Sequence, residues 1–213
     1  MIVYNPADGD AFTTSIPLKP RHCFLLTRLG KPVPPVITNI RKSVIKCCKK
    51  VNYDVIDAST EITGRDFLIK IWKMIASTPL VVGVVHEKIP DETQHNIYYE
   101  IGVAQSMGKE TVLVKSPKRN VPSDLIRSEF ILYDQKFENN FERYLDGLNT
   151  QAEHYELVAD QVERNPVLAL DYLKRAYLIT GNHNLKTKVT TIVKESGLED
   201  RARNSVELLS AAF

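Results

Sequence analysis

A chain of 213 residues has room for one ordinary domain and a smaller appendage, and 43% hydrophobic with 25% charged residues is the composition of a soluble globular protein. A net charge of +2 gives nucleic-acid binding no support without excluding it, and no apolar run approaches the ~20 residues needed to span a bilayer. Cys23, Cys47 and Cys48 are odd in number and lack metal-ligand spacing, so they read as small buried apolar residues in a reducing compartment. The acidic, Pro- and Gly-containing N-terminus has no signal-peptide core, and a cytoplasmic location is expected.

Residues 1–20 read as an N-terminal extension of mixed polarity. The first strand is His22–Thr27, followed by a proline-rich turn and a helix from about Val36 to Lys50. Val36, Ile40, Val44 and Cys47/Cys48 form its inward stripe, and Arg41, Lys42, Lys46, Lys49 and Lys50 its solvated face. Tyr53–Asp57 is the second strand. The helix from about Arg65 to Ser77 buries Leu68, Ile71, Trp72 and Ile75 at i, i+3, i+4, i+7 spacing. Leu80–His86 is continuously apolar up to its last residue, as strands covered on both faces are.

A polar loop, Glu87 to His95, is expected to lead into a helix that opens with Asn96-Ile97-Tyr98-Tyr99-Glu100-Ile101-Gly102-Val103-Ala104. Gly108 is placed as its left-handed cap. The fourth strand is Thr111–Lys115; a basic loop with Lys118 and Arg119, a short helical stretch Ser123–Arg127 and a fifth strand Phe130–Tyr133 follow. Strand and helix alternate throughout, which predicts a flavodoxin-like α/β domain over residues 21–134, with a parallel sheet in the order 2-1-3-4-5.

Beyond Tyr133 only helical stripes remain. Phe137, Phe141, Tyr144, Leu145 and Leu148 give one, continued by Tyr155, Leu157, Val158 and Val162. Asn165-Pro166 starts a helix that Gly181 stops; Leu185, Val189, Ile192 and Val193 mark another, and Val206 and Leu209 a last. Residues 135–213 are therefore expected to be an all-helical interaction domain, serving self-association or docking to a regulatory protein.

The segment from His22 to Asp134 resembles the nucleoside 2-deoxyribosyltransferase-like proteins, and is also similar to bacterial TIR-like nucleotide-processing proteins of the same topology. The likeness is carried by Asn96 through Ala104, then Gly108-Lys109-Glu110-Thr111-Val112-Leu113-Val114, with Pro122 to Arg127, Ile131 and Tyr133. It implies cleavage or exchange at a ribosyl N-glycosidic bond, with a glutamate at the position of Glu100 attacking the anomeric carbon or supporting removal of nicotinamide from NAD. It also implies a part in anti-phage defence. No cofactor is expected; NAD, a nucleoside or a nucleotide enters as substrate. The family usually carries an aspartate near the end of its third strand, where this chain reads Val82-Gly83-Val84-Val85-His86.

The residues suit that chemistry. N-glycosidic cleavage passes through an oxocarbenium-like state, which a nearby carboxylate stabilises or captures. Asn96 and Glu100 are four apart and share a helix face, leaving Ile97, Ile101 and Ala104 to the sheet and Gly102 to close packing. Glu100 is the expected catalytic carboxylate, set in the first turns of its helix, with Asn96 to hold a sugar hydroxyl or to orient that carboxylate. Tyr99 is a base-stacking candidate, one of the Tyr98–Tyr99 pair being assigned to the core. Thr27 and Arg28 after the first strand, Asp57 ending the second and His86 ending the third complete the expected substrate contacts, and Asp66 reads as a helix-start carboxylate. The alternatives are a non-catalytic nucleotide sensor or scaffold, and a chain whose helical part, as a protein- or DNA-contacting module, carries the function.

Overall fold

The structure is a computed structural model and describes residues 16–28, 30, 32–57, 67–125 and 129–195. Five strands, β1 (His22–Leu26), β2 (Asp54–Asp57), β3 (Leu80–Val85), β4 (Glu110–Lys115) and β5 (Phe130–Leu132), form one parallel sheet in the order β2-β1-β3-β4-β5. This is the predicted order. Between them run α1 (Pro35–Lys50), α2 (Phe67–Ser77) and α3 (Asp91–Ser106); α4 (Phe137–Gln161), α5 (Pro166–Thr180) and α6 (Asn184–Glu195) follow.

Strand alternation divides the core in two. Cys23, Leu25, Leu80, Val82, Val84, Val112, Val114 and Ile131 face α1, α4 and α5, while Phe24, Leu26, Ile56, Val81, Val85 and Leu113 face α2 and α3. All six residues of β3 are buried, as its unbroken apolar run requires of a strand covered on both sides. The three cysteines are free and wholly buried, where they pack as small apolar side chains.

The helices after β5 belong to the first of these clusters. Phe137, Phe141, Leu145 and Leu148 of α4 and Leu170, Leu173 and Tyr177 of α5 share it with the strands. Tyr53 Oη donates to the Ile179 carbonyl at 2.8 Å, and the Arg21 amide to that of Leu178 at 2.8 Å, stitching α5 to the strands' amino edge. Asn165 caps α5 by accepting from the Leu168 amide at 3.2 Å, with Pro166 in the first turn. Lys42, Lys46, Lys49 and Lys50 of α1 are exposed, as expected of its solvated face; Lys46 and Lys50 also pair with Glu138 and Glu142 of α4 at 2.8 and 2.5 Å, and the half-buried Arg41 pairs with Asp57. An acidic row on α4 lies opposite, a feature that α1's own periodicity does not encode.

Two glycines set close approaches. A Cβ on Gly83 would stand 2.9 Å from Leu113 and 3.0 and 3.2 Å from Ile97 and Ile101, so the bare backbone of β3 lets α3 settle onto the sheet. Gly102, expected to serve close packing, instead faces open space. Gly108 ends α3 at φ +66°, and a Cβ there would lie 2.4 Å from the Arg175 guanidinium. That guanidinium sits 5.7 and 5.5 Å from the Tyr155 and Tyr172 ring centres and pairs with Asp171 at 2.8 Å.

Candidate functional site

In a sheet of this order the chain turns from one side to the other between β1 and β3, and the crevice beyond their carboxyl ends is where such sheets hold ligands. Leu26, the last residue of β1, pairs with Gly83. Thr27 and Arg28 leave one lip of the crevice and His86 the other.

The helix carrying the motif begins five residues earlier than the sequence suggests. Asp91 and Glu92 occupy its first turn, where the exposed backbone amides favour acids, and Pro90 precedes them. The buried Gln94 side chain donates to the Ile89 carbonyl at 2.8 Å and fixes the entry. The predicted loop thus shrinks, and Glu100 is the tenth residue of α3, in its third turn rather than its first. The helix dipole acts only over the first turn and offers its charge nothing there.

About 100° separates successive residues. Ile97, Ile101 and Ala104 point at the sheet and are buried, as expected. Glu100 and Asn96 stand to one side of that stripe and Tyr98 to the other. Tyr98 packs against the core near Arg119, whose guanidinium pairs with Asp91 at 2.6 Å. The Tyr99 ring lies 6.2 Å from that of Trp72 on α2, which puts Glu100 on the α2 side, in the groove between the two helices. Asn96 is exposed one turn nearer the crevice, and Tyr99 is 53% exposed while Tyr98 is half-buried, so one tyrosine joins the core and the other does not.

Glu100 is 9% exposed and has no hydrogen-bond or ion-pair partner among the described residues. Burial alone pushes its carboxyl up to about 7. Asp57, the other buried carboxylate among the described residues, is in a different state: it shares a register row with Leu25 on the α1 face and is paired with Arg41. His86 is buried and accepts the Lys88 amide on Nδ1 at 3.0 Å. Glu87 Oε2 lies 3.4 Å from the same nitrogen, but an amide proton already occupies that lone pair, so the contact is no ion pair. Hydrogen bonds from Ser116 and its own backbone hold Glu87 low instead. Thr27 is 4% exposed, its hydroxyl without a partner among the described residues.

The expected residues therefore fall into two groups. Glu100, Asn96 and Tyr99 share the α2–α3 side, with Thr27, Arg28 and His86 at the strand ends beside the switch; Asp57 is turned to α1. Asp66 lies outside the described residues. Lys115 Nζ donates to the Arg119 carbonyl at 2.7 Å, so the basic loop folds on itself, while Lys118 is exposed. The residue that periodicity hid is Trp72: it is 7% exposed, and its indole N–H has no partner among the described residues. The signal was available, because a buried tryptophan normally needs an acceptor. Among the described residues no cluster of side chains suits a metal ion, and no helix is long and apolar enough to cross a membrane. A cavity of about 450 Å³ lies elsewhere, at the β5 edge.

No family model matches the chain, and no curated protein shows significant similarity to it. Among solved structures, a 2-deoxyribosyltransferase from Bacillus psychrosaccharolyticus matches 57% of this chain and 90% of its own, at 11% identity and a TM-score of 0.43. A CMP N-glycosidase from Clostridium botulinum matches 59% of this chain and 98% of its own, at 20% identity and a TM-score of 0.40. Both are distant, and the assignment to the flavodoxin-like class rests on the chain's own strand pairing in the order 2-1-3-4-5.

Proposed function

We propose that the chain cleaves the ribosyl N-glycosidic bond of a nucleoside, a nucleotide or NAD, with Glu100 as the catalytic carboxylate. One observation carries the reading: Glu100 is a buried carboxylate without a partner, standing in the α2–α3 groove below the switch crevice. An acid left unpaired at 9% exposure adds nothing to stability, and strongly perturbed acids in clefts are functional-site candidates. The motif resemblance supplies the reaction class.

In this reading the C1′–N bond breaks and its electron pair leaves with the base. The ionised Glu100 carboxylate captures or screens the sugar cation, and water or an acceptor hydroxyl completes the transfer. A carboxyl poised at about 7 supplies both protonation states at neutral pH, and an incoming cationic centre favours the anion. Asn96, one turn nearer the crevice, holds a sugar hydroxyl; Thr27, Arg28 and His86 contact the substrate from the strand ends, and the exposed Tyr99 ring offers a stacking face. Asp57 acts by fixing Arg41 beside β2. NAD as the substrate, a part in anti-phage defence and self-association through the helices rest on the motif and helical pattern alone.

The test is base release from NAD, nucleosides and nucleoside monophosphates, followed by chromatography. Glu100→Gln and Glu100→Ala are expected to lose about a thousandfold or more, in the range of a positioned catalytic group. Release equal to wild type removes Glu100 from the mechanism. The second reading, a nucleotide sensor, is favoured by the absence of an acid at the end of β3 and the pairing of Asp57 with Arg41. It predicts ligand-dependent thermal stabilisation without turnover.

A further inference from the structure

The sheet ends on β2 at one side and on β5 at the other, and the two edges are finished differently. β2 reads Asp54-Val55-Ile56-Asp57, with an acid at each end and Arg41 paired to Asp57, the charged finish that keeps an edge from recruiting another strand. β5 reads Phe130-Ile131-Leu132, with neither a charge nor a proline. Leu113 donates its amide to the Glu129 carbonyl at 3.0 Å, and Tyr133 donates to that of Lys115 at 2.8 Å. Ile131 therefore turns its amide and carbonyl to β4, while Phe130 and Leu132 turn theirs outward. No described strand lies beyond them. Among the described residues only the outward Leu132 carbonyl has a partner, accepting from the Asp134 amide at 3.1 Å. The Phe130 side chain is 46% exposed. The cavity of about 450 Å³ lies along this edge, lined by β5 and by Tyr144 and Arg143 of α4, with Glu129 and Asp134 at the strand's ends.

We propose that β5 is a dimerisation edge: β5 of a second copy pairs with it antiparallel, about a two-fold axis at Ile131, and the two sheets become continuous. The edge is complementary to itself. About that axis Phe130 of one copy lies opposite Leu132 of the other, and the two exchange both N–H···O bonds, as facing outward residues of an antiparallel pair do. The Leu132 carbonyl has a second lone pair for this bond. The exposed Phe130 ring then packs beside the partner's Leu132 as an apolar cross-strand pair. Arg143 and the carboxylates of Glu129 and Asp134 line one cavity, so the patch carries both signs, and the two-fold sets the cation of each copy toward the acids of the other. An unrelated peptide would have to match the main chain, the apolar centre and the charges separately, whereas a second copy matches all of them by symmetry. The inference is independent of the reaction assigned to Glu100 and of the exposed helical residues Leu157, Val167 and Leu168.

A three-residue strand makes a small interface, so a dissociation constant in about the micromolar range is expected. Sedimentation of the full chain from about 1 to about 100 μM should show a monomer giving way to a dimer. Leu132→Pro removes one outward amide and leaves the ladder to β4 intact, since proline is tolerated on an edge whose N–H faces away from the sheet. It should weaken the dimer about a hundredfold or more while the circular dichroism and melting temperature of the monomer stay those of wild type. Amide exchange in the wild type gives a test without a variant: Phe130 and Leu132 should gain protection as concentration rises, and Ile131 should be protected throughout. A chain that stays monomeric at about 100 μM overturns the proposal, and leaves the edge to a strand from another protein. A dimer that survives Leu132→Pro overturns it in favour of the helical surface. Protection of Phe130 and Leu132 that does not depend on concentration overturns it too, because the chain would then cover its own edge.

Discussion

Glu100→Gln is expected to make the protein more stable, and increasingly so as the pH rises. The carboxyl ionises at about 4.5 when solvated and about 7 in the fold, because burial disfavours the charge and no partner offsets it. The folded chain thus holds a proton that the unfolded chain releases between those values, and stability falls as pH climbs through that window. The full difference is about 3 kcal/mol, at about 1.4 kcal/mol per pH unit. At pH 5 little of it has been lost; by pH 8 nearly all has. The glutamine variant keeps the shape and never ionises, so its advantage should grow by about 2.5 kcal/mol from pH 5 to pH 8, or about 5–10 °C in melting temperature for a chain of this size. Urea unfolding followed by Trp72 emission at several pH values measures it. Lys109, held down to about 7 mainly by burial, moves stability the opposite way above pH 7, so the quantity to read is the difference between variants, in which Lys109 cancels. A difference that stays flat from pH 5 to pH 8 would mean that the Glu100 carboxyl is solvated, and the case for an unpaired buried acid would collapse.

Gly83→Ala should cost about 1–3 kcal/mol, because its methyl would stand within 3.2 Å of Leu113, Ile97 and Ile101, whereas Gly102→Ala on the open side of the same helix should gain up to about 1 kcal/mol; parallel denaturant melts compare them. Gly108→Ala combines a left-handed backbone with a collision against the Arg175 guanidinium, so a loss of about 2 kcal/mol or more is expected, and an unchanged melt would show that Arg175 is not held between Tyr155 and Tyr172. If the ionised Glu100 does the chemistry, kcat/KM should rise with pH through about 7 and level off; a fall across the same range would assign Glu100 the role of proton donor to the leaving base.

The sheet was legible because β-branched runs and helical stripes repeat at their own periods, and the strand order follows from five alternating units. The start of α3 was not: Asp91, Glu92 and Gln94 read as a polar loop, yet the same residues favour a helix's first turn, and only the Gln94 bond to Ile89 reveals which use the chain makes of them. That shift changed the meaning of Glu100 more than its identity, since the motif marked the right residue while its burial depends on α2, which lies elsewhere in sequence. Trp72 was missed because periodicity sees a ring and not its N–H. The Arg41–Asp57 pair joins α1 to a strand end, a contact that no local pattern announces.

The sharing of one apolar cluster by α4, α5 and the strands has a practical consequence. A chain cut after Asp134 would lay bare the sheet face now covered by Phe137, Phe141, Leu145, Leu170 and Leu173, and would aggregate rather than report on an isolated catalytic half. What the helices contribute must be asked with the chain intact, by altering side chains on their outer surface such as Leu157, Val167 and Leu168, which are exposed.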